Sequence, residues 1–525
     1  MERRKFRPCR FVCLLLLSAT FCLTLGYLLG KFVFDSASDS PGNILSYCKN
    51  TCPFANNGVC DEGRRSNSTG PGILRISYKL VTCDLGTDCA DCGAWKSSEE
   101  PTWLKEGGKE GPIALLNNRQ IEIRVKSANV AMPGVLPFAF AYTDPKKDVD
   151  VSHHFETSGV VERGITKVFY NIFKGRCFRS DGRRALFVDV GGNFGWFSIL
   201  AASMGCRVIV FEPVPQFRAF LEYNVLLNGL QHLVDIVESV VSHKTGGPEL
   251  KLVVPSKGIW GTAGIDGLNI DVSINSDNEE ILVKSVTLDE VVSEDVLLLK
   301  VDVEGWEWSV IKGAETLLAK YNVENVVMEY SPGVGERSQR FDDMLSTINM
   351  LIDLVKGGFR IGHITEYNMF DPLESPLSKY EEVTNRNLKF DLRDLQLYMS
   401  RQLGCPPPIK NNDYNCNGVP EDLSPRSFRS VIGHNTNVWA AKNSSTLLML
   451  EGVVGMIGLD EPAETYMATK ILNHGMGRRH CMGIEPKYQV HHRCPCSNKA
   501  VCGETEKTVV QMAKEGKISS NYIIS

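Results

Sequence analysis

The chain has 525 residues, which is more than one domain needs and allows two or three domains. Its formal net charge is −5, and no basic patch interleaved with aromatic residues occurs, so no nucleic-acid partner is expected.

The N-terminus has the pattern of a signal anchor. Residues 1–10 carry five basic residues, and residues 11–29 form a charge-free, mostly apolar run that is long enough to cross a bilayer. No small-residue cleavage motif follows, so an uncleaved anchor is preferred to a cleaved signal peptide. We therefore expect a type II membrane protein with a cytosolic tail at 1–10. Because the span is short, we expect it in the Golgi membrane, with the rest of the chain in the lumen.

Residues 45–95 are predicted to form a small disulfide module. Its cysteines are Cys48, Cys52, Cys60, Cys83, Cys89 and Cys92. An even number of cysteines in an oxidising compartment indicates disulfides, which would leave no thiolates for zinc. Five acids crowd between them, namely Asp61, Glu62, Asp84, Asp88 and Asp91. They could form a calcium site distantly similar to that of a Notch-repeat module, although a stalk with solvated acids is the preferred interpretation. Asn67 and Asn443 each begin a glycosylation sequon.

Residues 113–158 are predicted to be a β-rich lead-in, because apolar and polar residues alternate there, as from Ile121 to Val125. His153 and His154 are expected in a loop, either solvated or bordering a substrate pocket. Residues 159–174, which follow, have helical period.

The most informative stretch is a predicted βαβ unit. An apolar strand at 186–190 is followed by a glycine-rich turn at 191–195, a helix at 196–204 and a second strand at 207–211 that ends on Glu212. In such units the ligand lies at the carboxyl ends of the strands.

The residues of the glycine-rich turn and of the strand ends beside it indicate which ligand binds there. Glycines let a ligand approach the backbone, and a carboxylate about 20 residues later can accept both hydroxyls of a ribose. A dinucleotide and S-adenosylmethionine both fit these features. Val190 replaces the first glycine of a dinucleotide motif, and Asp189 would repel a pyrophosphate but could hold the ammonium of a methionine group. S-adenosylmethionine is therefore favoured over NAD, with candidate contacts at Asp189, Gly191, Gly192, Asn193, Gly195 and Glu212.

Three stretches resemble the FkbM family of class I S-adenosylmethionine-dependent methyltransferases: LFVDVGGNFGWFSILAASMGCRVIVFE (186–212), TLDEVV (287–292) and LLLKVDVEGWEWSVIKGAETLL (297–318). The resemblance extends over 159–442. It implies an α/β, Rossmann-like fold with a mostly parallel seven-stranded sheet, and usually O-methyl transfer onto sugars or polyketides. It also implies an acidic residue near Glu162.

Farther along, residues 234–241 are predicted to form the third strand, and folds of this type place its end, 238–242, beside the adenine. Predicted strands at 250–254 and 281–286 flank a polar loop from about 256 to 279. We expect a hairpin insertion there, near the substrate entrance.

The fourth strand is predicted at 296–303, with Asp302 and Glu304 at its carboxyl end. Alternation along a strand would place both on one side, facing the methyl donor. Asp302 is the first candidate for the base that takes the proton of an acceptor hydroxyl, or for holding a metal that acidifies it; a helix cap is the alternative. Glu304 is the second candidate. Glu307 is either functional or a first-turn acid, and Glu329 could line the acceptor pocket.

The rest of the chain is less informative. His363, on a predicted strand at 359–364, is interpreted as a core histidine. Residues 369–430 are predicted to be an insertion, 435–439 the closing strand, and 443–525 a Cys- and His-containing tail of unknown role.

Taken together, the sequence predicts a methyltransferase anchored in the Golgi membrane that transfers a methyl group to a hydroxyl of a glycan or polysaccharide. The alternatives are a non-catalytic glycan-binding or scaffold protein on the same fold and, less favoured, a NAD-dependent oxidoreductase. Divalent metal dependence is left open.

Overall fold

The computed structural model of the protein describes residues 45–64, 78–97, 101–105, 107–270, 277–337, 340–364, 380–389 and 435–442, with scattered positions between 372 and 432 and the pair 454–455. The predicted basic tail and anchor, both sequons, and most of the predicted insertion and C-terminal tail lie outside the described residues. Within the described part, no helix has the length and apolar character needed to cross a bilayer.

The cysteine-rich segment is a disulfide-bonded module, as predicted. Strand β1 (Leu45–Tyr47) pairs antiparallel with β3 (Trp95–Ser97), and helix α1 (Cys89–Cys92) precedes β3. The six cysteines form the pairs Cys48–Cys89, Cys52–Cys83 and Cys60–Cys92. The module is docked on the rest of the chain, because the buried Tyr223 hydroxyl donates to the Glu62 carbonyl at 2.5 Å.

The lead-in is mixed rather than β-rich. It contains helix α2 (Pro112–Asn118), strands β4 (Arg124–Ser127) and β5 (Ala139–Tyr142), and helix α3 (Val151–Ser158); β2 (Lys79–Leu80) completes a small antiparallel sheet with β4 and β5. Pro112 occupies the first position of α2, where a missing N–H costs nothing. The carboxylate of Asp84 accepts the N–H groups of Ile113 and Ala114 at 2.8 and 3.1 Å, which holds the start of α2.

A large sheet forms the centre of the molecule. From residue 163 the elements are α4 (Arg163–Phe173), β6 (Leu186–Val190), α5 (Trp196–Ser203), β7 (Arg207–Phe211), α6 (Pro215–Leu227), β8 (Val234–Val237), β9 (Val240–Val241), β10 (Leu250–Val254), β11 (Gly264–Ile265), β12 (Glu279–Val283), β13 (Ser285–Val286), α7 (Leu288–Val291), β14 (Val296–Val301), α8 (Glu307–Lys312), α9 (Glu315–Lys320), β15 (Asn325–Tyr330), α10 (Pro332–Arg337), α11 (Phe341–Lys356), β16 (Phe359–Ile364), β17 (Glu381–Val383), β18 (Thr436–Lys442) and β19 (Val454–Gly455). The predicted βαβ unit is confirmed in β6, α5 and β7.

The described strands of this sheet run in the order β19-β17-β16-β18-β15-β14-β6-β7-β8. The part from β16 to β8 has the predicted seven strands, and β18 is antiparallel to both of its neighbours. Two further strands, β17 and β19, extend the sheet to nine in its described part. They come from the predicted insertion and tail, and each is too short to give a strand pattern in the sequence.

Apolar side chains cover both faces of the sheet. Helices α4, α5 and α6 pack on one face, around Phe187 and Val208. Helices α8, α9 and α11 pack on the other face, around Val188 and Val190. All five residues of β6 are buried, as expected for a parallel strand covered on both sides.

Two features near the sheet bear on the site. Strands β10, β11 and β12 form an antiparallel three-stranded sheet, which confirms strands on both sides of the predicted insertion. A fourth disulfide, Cys177–Cys206, joins the segment after α4 to the start of β7. This bond was not predicted from the sequence, because the two cysteines lie outside the cysteine-rich stretch.

Candidate active site

A cavity opens at the carboxyl ends of β6, β7, β14 and β15. The glycine turn after β6 forms its floor, residues 239–241 line one end, and the small sheet of β10 and β11 contributes Leu252 and Ile265. This is the position in which open α/β sheets bind ligands. The predicted hairpin insertion near the substrate entrance therefore does border the cavity.

The glycine turn needs its glycines for close packing. Gly191 has φ 85°, and a β-carbon there would overlap the carbonyl oxygen of Asp302. Gly195 has φ 88°, and a β-carbon there would overlap the side chain of Leu221. Gly191, Gly192 and Asn193 line the cavity, whereas Gly195 lies behind it at the start of α5.

Four of the five N–H groups of this turn are already paired. Those of Gly191 and Gly192 donate to the Phe211 carbonyl at 3.1 and 3.0 Å, and that of Gly195 donates to the Gly192 carbonyl at 2.8 Å. The Asn193 N–H donates to Glu212 Oε2 at 2.7 Å. A dinucleotide motif uses free N–H groups to bind a pyrophosphate. The geometry therefore disfavours NAD, in agreement with the sequence analysis.

Glu212 lies at the end of β7, 4% exposed, and lines the cavity. Its Oε1 accepts the Val214 N–H at 2.8 Å. Burial raises the pKa of Glu212 to about 7, although the N–H donors of Val214 and Asn193 oppose the rise. Each carboxylate oxygen has a second lone pair, so Glu212 can still accept hydrogen bonds from the two hydroxyls of a ribose.

Fewer residues line the predicted adenine end of the cavity than the sequence suggested. Ser239, Val240 and Val241 line the cavity. Glu238 instead pairs with Arg218 at 3.1 Å, and Ser242 bonds to Ser309, so the two ends of the predicted range 238–242 lie elsewhere.

Asp189 is not in the cavity, and its predicted direct contact with a methionine ammonium is corrected on that ground. Its carboxylate is completely buried and accepts from Ser198 Oγ at 2.7 Å. Lys300, its neighbour across the β6–β14 pair, lies 3.5 Å away and covers it. Alternation along β6 turns Asp189 sideways toward α5 rather than outward at the strand tip.

Lys300 is the basic residue of the described cavity lining. Its ammonium donates to the Gly191 carbonyl at 2.9 Å and lies 3.4 Å from Asp302 Oδ2. Burial lowers the pKa of Lys300, but Asp302 and Asp189 outweigh it and raise the pKa above its usual value. Lys300 therefore stays protonated and ties the glycine turn to the strand carrying Asp302.

Asp302 and Glu304 line the cavity as predicted, but not because they alternate on a strand. Strand β14 ends at Val301, and both acids lie in the turn that follows, where Glu304 has φ 58° and Gly305 has φ 98°. This turn brings one oxygen each from Asp302, Glu304 and Glu329 within 4.8 Å of one another. The predicted grouping is confirmed, and its predicted cause is corrected.

The acids of this group have different partners. Glu304 accepts from Asn269 Nδ2, and Glu329 accepts from Ser331 Oγ at 2.7 Å and from Asn435 Nδ2. Burial, followed by the charge of Asp302, raises the pKa of Glu304. Burial, followed by the charge of Glu304, raises the pKa of Glu329. Carboxylates with raised pKa are the better bases, and three converging carboxylates could also hold a divalent cation.

Glu307 shapes the turn rather than the cavity. Its Oε1 accepts the N–H groups of Val303 and Gly305 at 3.2 and 2.9 Å, from the first turn of α8. The first-turn interpretation is confirmed.

Asp150 and Lys300 also line the cavity, although neither was predicted from the sequence as a site residue. Lys300 sits two residues before Asp302 in a strand, a spacing that could have pointed to it. Glu162 also lines the cavity, and only the resemblance pointed to it.

The histidines lie elsewhere. His153 and His154 are in helix α3 instead of a loop, and His154 Nδ1 lies 3.3 Å from Asp150 Oδ1. His363 is a buried residue of β16 whose Nε2 bonds to Thr436 Oγ1 at 2.8 Å, which fits a core histidine.

In the disulfide module, the acids hold the backbone. Asp91 accepts the N–H groups of Asn57 and Gly58 at 3.0 and 3.1 Å, and Asp88 accepts the Asp61 N–H at 2.9 Å. Glu62 forms an ion pair with Arg64. These contacts favour the interpretation as a stapled domain, but its acids are not solvated as predicted, because Glu62, Asp84 and Asp88 are buried. Calcium binding there stays a prediction.

A family model matches the part of the chain that forms most of the cavity. Residues 189–361, about a third of the chain, match the model of the Methyltransferase FkbM domain. The match covers the glycine turn, Glu212, Asp302, Glu304 and Glu329. At the level of the family it supports an S-adenosylmethionine-dependent methyltransferase. No curated protein matches the chain.

Two solved structures are similar in part. One is an S-adenosylmethionine-dependent methyltransferase from Agrobacterium tumefaciens, at 12% identity and a TM-score of 0.23, covering 42% of this chain and 58% of that chain. The other is the plantazolicin methyltransferase BpumL in complex with SAH, at 10% identity and a TM-score of 0.23, covering 54% and 82%. Both are too distant to bear on fold or activity. This chain thus spans less than two thirds of the Agrobacterium protein.

Proposed function

We propose that the protein is an S-adenosylmethionine-dependent O-methyltransferase that methylates a hydroxyl of a glycan or polysaccharide in the Golgi lumen. The proposal depends on the cavity, whose described lining combines six carboxylates with one lysine. These are Asp150, Glu162, Glu212, Asp302, Glu304, Glu329 and Lys300. Such an excess of acids over bases suits a ligand with a sulfonium and an ammonium group, whose positive charge favours the ionised carboxylates, and it opposes a pyrophosphate.

The residues on the donor side fit this ligand. Glu212 lines the cavity and supports the proposal as the acceptor for the ribose hydroxyls, and the apolar Val240 and Val241 support it as neighbours of the adenine. When bound, S-adenosylmethionine supplies an electrophilic methyl group on a positively charged sulfur. The task left to the protein is to orient an acceptor hydroxyl and to remove its proton.

On the acceptor side, Glu304 is the preferred base. Its raised pKa increases its basicity, whereas Asp302 is engaged by Lys300 and is better suited to orient the hydroxyl. The Glu304 carboxylate would take the hydroxyl proton as the methyl group passes from the donor sulfur to the acceptor oxygen and leaves the sulfur neutral. Glu329, held by Ser331 and Asn435, completes the acid-lined wall.

Disulfides support the proposed compartment. Four bonds occur within the described residues, and such bonds persist in oxidising compartments. The predicted anchor at 11–29 would place them in the lumen. Protease protection of tagged chain in sealed microsomes tests this orientation: a protected C-terminal tag agrees with it, and a digested tag contradicts it.

Binding is the decisive test of the activity. We expect the full chain to bind S-adenosylhomocysteine in a calorimetric titration and not to bind NAD. Glu212→Gln should weaken that binding, while Glu280→Gln, on the surface of β12, should not. If the folded chain binds neither nucleotide, the enzyme is excluded and the scaffold alternative gains.

The acceptor is tested next. The full chain is supplied with methyl-labelled S-adenosylmethionine and with pools of glycans or of proteins. Alkali-stable label in glycans agrees with O-methyl ethers, whereas alkali-labile label or label confined to protein contradicts the proposed acceptor.

A further inference from the structure

The insertion between β10 and β12 contributes a wall of the cavity close to Glu304. Gly261 of this insertion lines the cavity and lies in a single turn of 3-10 helix, Trp260–Thr262. Trp260 is buried and stacks on Phe217, with 5.9 Å between the ring centroids, so the turn is anchored in the core. The backbone of Gly261 is not in the left-handed region. Its conformation therefore does not require glycine.

Three polar atoms surround the space beside Gly261. A β-carbon built there would lie 3.5 Å from Asn193 Nδ2, 3.7 Å from Asp150 Oδ2 and 4.0 Å from Glu304 Oε1. Beyond the two adjoining residues, these are its nearest neighbours among the described residues. Such distances are ordinary van der Waals contacts, so packing does not exclude a side chain. The missing side chain leaves a small space bordered by one N–H donor and two carboxylate oxygens.

The two carboxylates are each held by one oxygen and face this space with the other. Glu304 accepts from Asn269 Nδ2 through Oε2, and its Oε1 faces Gly261. Asp150 contacts His154 through Oδ1, and its Oδ2 faces Gly261. The same insertion thus provides both Gly261 and the amide that orients Glu304.

The amide of Asn193 completes the arrangement. Its Nδ2 faces the two carboxylates, an orientation that places a donor beside them instead of a third oxygen. Its Oδ1 is buried and has no hydrogen-bond donor within the part of the chain that the structure describes. A buried oxygen without a donor is unfavourable, so the hydrogen bonds of the fold do not account for this amide. A ligand that accepts from Nδ2 would account for it.

The chemistry of the space selects its occupant. An ammonium group has no lone pair to accept from Asn193, and the two carboxylates oppose a carboxylate or a phosphate. A hydroxyl meets both requirements, because it donates one hydrogen and has two lone pairs. We infer that the acceptor hydroxyl binds beside Gly261, accepting from Asn193 Nδ2 and donating to Glu304 Oε1. The second lone pair of its oxygen remains to attack the methyl group. This inference rests on the proposed function.

Two substitutions of Gly261 test the space without any acceptor. In the full chain, Gly261→Ser places a hydroxyl among the three polar atoms, whereas Gly261→Ala places a methyl group there. The Gly261→Ser variant should melt about 2–4 °C higher than Gly261→Ala, because hydrogen bonds to charged groups are among the stronger ones. Gly247 is the matched control, since a β-carbon there would meet nothing within 4 Å. Gly247→Ser and Gly247→Ala should melt within about 1 °C of each other.

The same Gly261 variants should impair the acceptor and spare the donor. With methyl-labelled S-adenosylmethionine, the initial rate of transfer to the glycan pool should fall roughly 10- to 100-fold, because the added side chain displaces the acceptor oxygen. The affinity for S-adenosylhomocysteine, measured by calorimetry, should stay within about threefold. Gly247→Ala should match the wild type in both measurements.

A variant of Asn193 tests the donor of the proposed hydrogen bond. Asn193 has φ 49°, a conformation that aspartate tolerates nearly as well as asparagine. Asn193→Asp keeps the shape of the side chain but replaces its N–H donor with an oxygen. The transfer rate should again fall at least about tenfold, while the affinity for S-adenosylhomocysteine stays within about threefold. A loss of that affinity would assign the Asn193 amide to the donor and contradict the inference.

The remaining outcomes are distinct. The inference is overturned if Gly261→Ser melts no higher than Gly261→Ala, or if its transfer rate equals that of the wild type. It is also overturned if both Gly261 variants lose affinity for S-adenosylhomocysteine, because the space would then belong to the donor. A wild-type chain that labels no glycan contradicts the proposed function itself, and the melting temperatures still show whether the space takes a hydroxyl.

Discussion

The disulfide module and the cavity are both rich in acids, but they treat them differently. In the module, Asp84, Asp88 and Asp91 each accept backbone N–H groups, so their charge is used to hold loops and helix starts. In the cavity, Glu304 and Glu329 crowd against Asp302 and accept hydrogen bonds from side chains. Burial does not make the difference, since it raises the pKa of Asp84 in the module as well as that of Glu304. The difference shows that a high content of acidic residues does not by itself identify a functional site. The hydrogen-bond partners of the acids must also be known.

The largest effect is expected at the acceptor wall. Glu304→Gln should lower kcat by roughly 10²- to 10⁴-fold, because the variant cannot take the hydroxyl proton. The affinity for S-adenosylhomocysteine should change by less than about threefold. Initial-rate kinetics and calorimetry measure the two quantities, with Glu280→Gln as control; wild-type kcat in Glu304→Gln would exclude this base.

Lys300→Met should be the most destabilising change in the cavity. It leaves Asp189 buried without its cation, which typically costs about 3–5 kcal/mol. Urea unfolding measures the loss. Adding Asp189→Asn to Lys300→Met should recover part of it, and a double variant as unstable as the sum of the two single variants would contradict the pairing.

Stability should fall as the pH rises through the pKa of Glu212. The pKa is about 7 in the folded protein against 4.5 for an unperturbed glutamate, so the folded state binds the proton more tightly than the unfolded state does. The stabilisation is complete below pH 4.5 and is lost as the pH rises through 7. Glu212→Gln should therefore show a flatter stability profile than the wild type between about pH 5 and 8. Parallel urea-unfolding profiles would refute this assignment.

In the module, Asp84→Ala should cost about 1–3 kcal/mol, because two N–H groups at the start of α2 lose their acceptor. The affinity for S-adenosylhomocysteine should be unchanged. Thermal unfolding and calorimetry test the pair of expectations; lower affinity without lower stability would show that the module belongs to the binding site.

The smallest effect is expected when divalent metal ions are removed. If the module acids serve the backbone, removing divalent cations with a chelator should shift the melting temperature by less than about 1 °C. A larger shift, restored by calcium and absent in Asp88→Asn, would revive calcium binding there. The same chelation in a turnover assay shows whether Asp302, Glu304 and Glu329 use a cation.

The fold was predictable where the hydrophobic periodicity and the turn residues indicate the same element boundaries. The unit from β6 to β7 combines apolar strands with a glycine turn, and its predicted bounds hold to within a residue. The strands β17 and β19 were not predictable, because two or three residues carry no period. Nor was the bond Cys177–Cys206, since sequence does not show which distant cysteines meet.

The site was predictable in part. Glu212, Asp302 and Glu304 were found because they follow strands whose ends meet at one edge. Asp189 was misplaced because alternation along β6 turns its side chain toward α5, where Lys300, a neighbour only in the folded sheet, covers it. Glu162 lies just before α4, far from the strand ends in sequence, and only the resemblance pointed to it.

The bond Cys177–Cys206 has a practical consequence. It closes a covalent ring of about 30 residues that contains β6, the glycine turn and α5, the whole of the donor-side floor. A ring of that size stabilises a fold by about 3–4 kcal/mol when the gain is attributed to lost chain entropy. Protein expressed in a reducing cytosol would lack this disulfide. A preparation that does not bind the donor is therefore informative only after a free-thiol assay has shown that the bond is formed.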